Sequence, residues 1–191
     1  MTQTNNIKHL FETQKDKIDE WLEEKKPKEL PPIYASVDIR DAGFKAAIVD
    51  KNLFPAGFNN LCEKSQIISS QKFKSLLSHY HPHAQHIGLI AENHTRNPYY
   101  LANIQTLKHI LELAGYTVQV RMDIQNEQDI TLEKNLQTLH VYPLTEAKKM
   151  DILLLNNDLS NGIPTKLDTK DTIIFPSPEA GWHKRKKSRH F

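Results

Sequence analysis

The chain has 191 residues, enough for one ordinary α/β domain with a single core and short for two. Hydrophobic residues make up 38% and charged residues 25%, a composition that folds, and a net charge of +2 is too small to drive nucleic-acid or membrane binding by bulk electrostatics. The single cysteine, Cys62, excludes an internal disulfide framework and fits a reducing compartment, the cytoplasm by default, while no basic segment followed by an apolar run opens the chain and no stretch nears the ~20 apolar residues of a membrane span.

Ile7, Leu10, Phe11, Ile18, Trp21 and Leu22 recur near a helical period with Lys and Glu between them, so residues 7–25 are expected to form an amphipathic helix. It breaks at Lys26-Pro27, and the segment to Pro31-Pro32 is extended because a residue before proline is pushed out of the α region. Two strands follow, Ile33 to Ile39 and Phe44 to Val49, with a hairpin turn over Arg40-Asp41-Ala42-Gly43. Lys64 to Tyr80 reads as a helix burying Ile67, Ile68, Phe73, Leu76 and Leu77, ended by Pro82.

The clearest unit comes next. Apolar Ile87 to Ala91 leads to a polar turn, Glu92 to Asn97, then Pro98 at a helix start, a helical run from Tyr99 to Ala114, Gly115 as terminator and a strand from Thr117 to Val120. This is a βαβ, Rossmann-like pattern with parallel strands. A polar stretch, Asp123 to Asn135, separates it from strands at Leu139 to Tyr142, Asp151 to Leu155 and Thr172 to Phe175, and the apolar run Ile152-Leu153-Leu154-Leu155 predicts a strand covered on both faces. The fold class is therefore α/β, a mixed sheet with flanking helices. Residues 1–30 are a helix and proline-containing linker, 31–180 the α/β substrate-binding domain and 181–191 a basic tail.

Polar residues gather where strands end: Arg40, then Glu92-Asn93-His94-Thr95-Arg96-Asn97, then Asn156-Asn157-Asp158. Ligands of open α/β sheets bind outside the carboxyl ends of the strands, so these segments are expected to line one crevice, with side chains at Arg40, Arg96 and Asn156 converging on it. Paired guanidinium donors suit a carboxylate or phosphate, and Asn supplies donor and acceptor for an amino-acid head group. Asn156 to Asp158 fit turn chemistry equally well, since such residues hydrogen-bond their own backbone. The turn at 92–97 has six polar residues, more than capping alone requires, and a helix start there favours an anion.

His79, His81, His83 and His86 invite a metal reading, but Pro82 interrupts any strand and no Cys or acidic residue stands close in sequence, so a solvated turn is the better reading and no metal site is assigned. Cys62 stands near a helix start that would lower its pKa, although a small buried hydrophobe is the better reading. No glycine-rich phosphate loop is recognisable among six glycines. The terminal Lys184, Arg185, Lys186, Lys187 and Arg189 read as a solvated basic end unless they meet phosphates.

Three segments carry more than generic α/β pattern: SVDIRDAGFKAAIVDKNLFPAGFNNL from Ser36 to Leu61, ENHTRNPYYLANIQTLKHILELAGY from Glu92 to Tyr116, and LLLNNDLSNGIP from Leu153 to Pro164. With the closing GWHKRKKSRHF they resemble the proteobacterial glutamate–cysteine ligases related to ATP-grasp enzymes, from about Ile33 to Phe191. The resemblance implies a pre-ATP-grasp-like half and the first step of glutathione synthesis. In that step ATP and Mg²⁺ activate the γ-carboxylate of glutamate as an acyl phosphate, which the amine of cysteine attacks.

By position in the matching motifs, the resemblance implies Arg40 and Lys45 as anion-binding residues. It implies Asn59, Asn60, Asn93, Arg96, Asn156, Asn157 and Asp158 as further substrate contacts, and Arg185 and Lys187 as residues facing the nucleotide. Chains of the family continue past such a GWH segment, so most ATP and magnesium ligands are expected outside this chain. A truncated frame, a subunit completed by a second chain, and a non-catalytic amino-acid-binding remnant all stay open.

Overall fold

A computed structural model of the chain describes residues 9–25, 32–93, 97–132, 138–167 and 172–184, apart from the side chains of residues 98, 146 and 148. Two compact units form, one from Met1–Pro31 with Val37–Lys51 and the other from Pro32–Ser36 with Asn52–Phe191.

In the first unit the amphipathic pattern gives helix α1 (Lys15–Lys25), in which no residue is buried. Strands β1 (Ser36–Asp41) and β2 (Ala46–Asn52) pair as a two-stranded sheet. The turn falls later than the sequence predicts. Gly43, at a φ of 85°, takes the left-handed conformation, its N–H donates to Asp41 Oδ1 at 2.7 Å, and the Ala42 N–H donates to the Lys45 carbonyl at 3.0 Å. Arg40 and Asp41 thus belong to the strand, because the aspartate side chain, and not Arg40, starts the reversal.

The second unit holds α2 (Glu63–Tyr80), β3 (His86–Ile90), α3 (Pro98–Leu113), β4 (Thr117–Met122), β5 (Gln128–Thr131), β6 (Thr138–Pro143), β7 (Ile152–Leu155) and β8 (Ile173–Phe175). Its sheet runs β5-β6-β4-β3-β7-β8, with β5 antiparallel to β6 and every other pair parallel. The βαβ unit forms as its signals dictate. Asn97 caps α3 by accepting the Tyr99 N–H at 3.0 Å, Pro98 fills the first turn, and Gly115, at a φ of 92°, supplies the left-handed residue beyond the helix. All four residues of β7 are buried, as a strand covered on both faces requires.

Two apolar clusters build the core, one joining Phe73 and Leu77 of α2, Ile104, Leu107 and Leu111 of α3 and the inner strands, the other joining Phe54, Ile90, Leu153, Leu155 and Leu159. Ile67 and Ile68, expected in the buried stripe of α2, are instead 45% and 47% exposed. The helix turns Ser70, Phe73 and Leu77 inward, which puts Ile68 on the opposite face and leaves Ile67 at the margin of the stripe. Strand β5 lies inside the polar stretch Asp123 to Asn135, where no strand is expected, because an edge strand pairs through its backbone to β6 and needs few apolar side chains.

Candidate functional site

Strand β3 lies between β4 and β7, and from it the chain goes on to β4 on one side while β7 leads to β8 on the other. Ligands bind at such a reversal of strand order, outside the carboxyl ends. A cleft of about 370 Å³ opens there, lined by Ile90 at the end of β3 and Ala91, Glu92 and Asn93 beyond it, Asp123 beyond β4, Leu144, and Asn157, Asp158 and residues 160–164 beyond β7.

The lining is acidic. The Glu92 carboxyl is held above the usual carboxylate range, by burial first and the charge of Asp158 second, while the Asp158 N–H donating to it pulls the other way. Asp123 pairs with Lys166 at 2.6 Å. The Asn93 side chain ties the loops after β3 and β4 together, its Oδ1 accepting the Asp123 N–H at 2.7 Å and its Nδ2 donating to the Asp123 carbonyl. Asn157 and Asp158 shape their own loop: Asn157 Oδ1 accepts the Leu159 N–H at 2.9 Å, and Asp158 Oδ1 accepts the N–H of Ser160 at 2.8 Å and its hydroxyl at 2.6 Å. Leu159, at a φ of 58°, holds a left-handed conformation unusual for its type. The closing Gly-Trp-His segment steadies that loop, with the Trp182 N–H donating to the Asp158 carbonyl at 2.8 Å.

Beneath the cleft lies a buried polar network. Asn156, 3% exposed, accepts the Asn103 amide on Oδ1 at 3.2 Å and donates Nδ2 to the Pro55 carbonyl at 2.8 Å. Asn103 Oδ1 accepts the N–H groups of Gly57 and Phe58 at 2.8 and 2.9 Å, so the Pro-Ala-Gly-Phe segment is fastened to α3 and β7. The Tyr34 hydroxyl donates to the Leu155 carbonyl, and burial raises both its phenol and that of Tyr100.

Of the residues singled out from sequence, Asn93, Asn157 and Asp158 come together around the cleft. Asn156 sits below it with its carboxamide engaged inside the protein. Asn59 and Asn60 lie in the short 3₁₀ helix Phe58–Asn60, outside the lining. Arg40 and Lys45 are exposed in the first unit, and Arg96, Arg185 and Lys187 lie outside the described residues. The expected meeting of Arg40, Arg96 and Asn156 thus joins residues of the two units with one that lies outside the described residues. Glu92, which stood in the predicted turn without a role, and Asp123 are the additions. Asp123 directly follows the last residue of β4, so the rule that flagged Asn156 to Asp158 points to it as well.

His79, His81, His83 and His86 flank the end of α2, with His86 Nδ1 3.5 Å from Asp151. Cys62 is exposed ahead of α2 and not the buried hydrophobe expected, its thiol drawn below the ordinary value by a hydrogen bond with Ser65.

An open, mostly parallel sheet with a polar crevice at its point of strand reversal is the arrangement in which α/β units commonly bind small molecules. The family model for glutamate-cysteine ligase matches residues 8–191, and the chain belongs to that family. It is also similar to a protein of Methylobacillus flagellatus KT provisionally named gamma-glutamylcysteine synthetase, whose crystal structure superposes with a TM-score of 0.82 at 34% identity. That match covers 97% of this chain and 46% of the other, so the chain spans about half the length of its relative. No curated protein matches the sequence.

Proposed function

We propose that this chain is the substrate-recognition part of a glutamate–cysteine ligase, and that its cleft holds the ammonium end of an amino-acid substrate. The observation that carries the reading is the facing of Glu92 and Asp158 in a polar cleft at the strand-reversal point. Two carboxyl groups lining one cleft, the charge of one raising the other, favour a cation there, and an α-ammonium offers three donors. The Asn93, Asn157 and Ser160 lining supports recognition by hydrogen bonds, and the 370 Å³ volume suits a ligand the size of glutamate or cysteine.

The family implies ATP and Mg²⁺ for activation of the γ-carboxylate. Among the described residues no group of three or more His, Cys, Asp or Glu could hold a metal ion, so this chain is assigned no step through either group. Its part is to bind the amino acid, orient it and shield it from water, which brings the reacting amine and carboxyl into line. The half-length match favours completion of the ligase by a second polypeptide segment, on the same chain or another. No described helix is long and apolar enough to cross a membrane, and we place the work of this chain in the cytoplasm.

Calorimetry with glutamate, cysteine and glutarate tests the reading, since glutarate keeps both carboxylates of glutamate and lacks the ammonium. Saturable binding of an amino acid, absent for glutarate and weakened by Glu92→Gln, supports it. Glutarate binding as tightly as glutamate removes it, as does heat no different from buffer for every ligand. ADP release from ATP, Mg²⁺, glutamate and cysteine by this chain alone would show that no second segment is required.

A further inference from the structure

Tyr100 stands in the first turn of α3, where its N–H donates to the Asn97 carbonyl at 3.0 Å. Its side chain reaches back under the sheet end. The hydroxyl accepts the Glu92 N–H at 3.0 Å and donates to the Asn156 carbonyl at 3.1 Å. A phenol has one proton to give and lone pairs to receive, so a single oxygen satisfies a backbone donor just beyond the β3 end and the first backbone acceptor beyond β7. Those two positions begin the loops that carry Glu92 and Asp158.

We propose that Tyr100 is a positioning residue, a hydroxyl strut that fixes the separation of the Glu92 and Asp158 loops and so sets the geometry of the cleft. Burial keeps the phenol protonated and able to donate. Tyr34 provides the contrast within the same fold: its buried hydroxyl donates to the Leu155 carbonyl, one residue earlier on β7, and so holds the strand without spanning to the Glu92 backbone. The charge felt by Glu92 is that of Asp158 from the β7 loop; Asp123, paired with Lys166, lines the same cleft from the β4 end, and Tyr100 of α3 accepts the Glu92 N–H. The positioning claim stands on geometry alone, and only its consequence for ligand affinity rests on the proposed substrate reading.

The test compares Tyr100→Phe with Tyr34→Phe in the full chain. Each removes one phenol–carbonyl bond at the end of β7, and Tyr100→Phe alone also removes the bond that spans to the Glu92 N–H. Positioning predicts that carbon-detected titration of the Glu92 carboxyl moves toward the ordinary glutamate value in Tyr100→Phe and stays in place in Tyr34→Phe. Glutamate affinity should fall about tenfold in Tyr100→Phe, the worth of roughly one lost polar restraint.

A folded Tyr100→Phe protein with wild-type Glu92 titration overturns the proposal, even where glutamate still binds. A shifted titration in a protein whose wild type binds no glutamate keeps the strut and removes the substrate reading. Where Tyr100→Phe does not fold, amide exchange in the wild type decides: Glu92 N–H protection comparable to that of β3 supports the strut, and exchange at the rate of an open loop ends it.

Discussion

Replacing Asn156 by alanine puts the network beneath the cleft to its hardest test. The side chain is 3% exposed and bonds at both ends, so truncation leaves the Asn103 amide and the Pro55 carbonyl without these partners in a dry place. Stranded buried groups of this kind cost roughly 2–4 kcal/mol together. For a domain of this size about 2–4 °C accompanies each kcal/mol, so the melting temperature should fall by roughly 4–16 °C. Thermal unfolding followed by circular dichroism reads that fall, and amide exchange at Gly57 and Phe58 should quicken, because Asn103 anchors both. A melting point within ~2 °C of wild type would show that the network contributes little.

Asn156→Asp sharpens the same test. Its ionised carboxylate cannot donate to the Pro55 carbonyl, and burial beside that oxygen raises its folded pKa above the unfolded value near ~3.9. The sign follows from linkage: a group with a raised folded pKa contributes stability fully present below the unfolded value and lost as pH rises through the folded one. The deficit of this variant against wild type should therefore widen from about pH 4 to about pH 7. A constant deficit would mean that the charge is not felt.

The same linkage applies to Glu92, whose folded pKa is raised by burial and by Asp158, so its contribution to stability is present at low pH and fades as pH climbs through the folded value. Glu92→Gln should thus match wild type in acid and exceed it at neutral pH, while losing affinity for an ammonium-bearing ligand; urea unfolding at both pH values, beside calorimetry, checks the trade. At Gly181 an added Cβ would lie 2.8 Å from the Leu159 Cβ and 2.7 Å from His183 Nδ1, so Gly181→Ala should cost about 1–3 kcal/mol through overpacking. Urea midpoints measure it, and an unchanged midpoint would mean that the Gly-Trp-His segment does not press on the cleft loop.

The βαβ unit was legible because each of its signals is local: Asn97 as cap, Pro98 in the first turn and Gly115 past the end act on their own backbone. Strand β5 was not, because Gln128–Thr131 is held by pairing to β6, which a sequence does not display. The cleft was half legible. Polar residues after β3 and β7 announced it, yet nothing in a single sequence separates Asn157, which reaches the lining, from Asn156, which turns under the sheet toward Pro55. Period and capping see one element at a time, whereas the direction of Asn156 is decided by α3 and the Pro-Ala-Gly-Phe segment, distant in the chain.

Charge balance decides what else an amino acid in this cleft would need. Glutamate brings one ammonium and two carboxylates, and the lining offers Glu92, Asp123 and Asp158 with Lys166 held against Asp123. The ammonium can be matched there and the carboxylates cannot, so they call for cations from beyond this lining. Arg96, which the family resemblance implies as a substrate contact and which lies outside the described residues, is the cation we propose for one of them. A charge-assisted bond from guanidinium to carboxylate is worth about 1.5–3 kcal/mol, or roughly 10–150-fold in affinity. Arg96→Ala should weaken glutamate by that factor and leave a simple primary amine such as n-butylamine unaffected, both read by calorimetry. Equal losses for the two ligands would mean that Arg96 supports the loop and does not read a carboxylate.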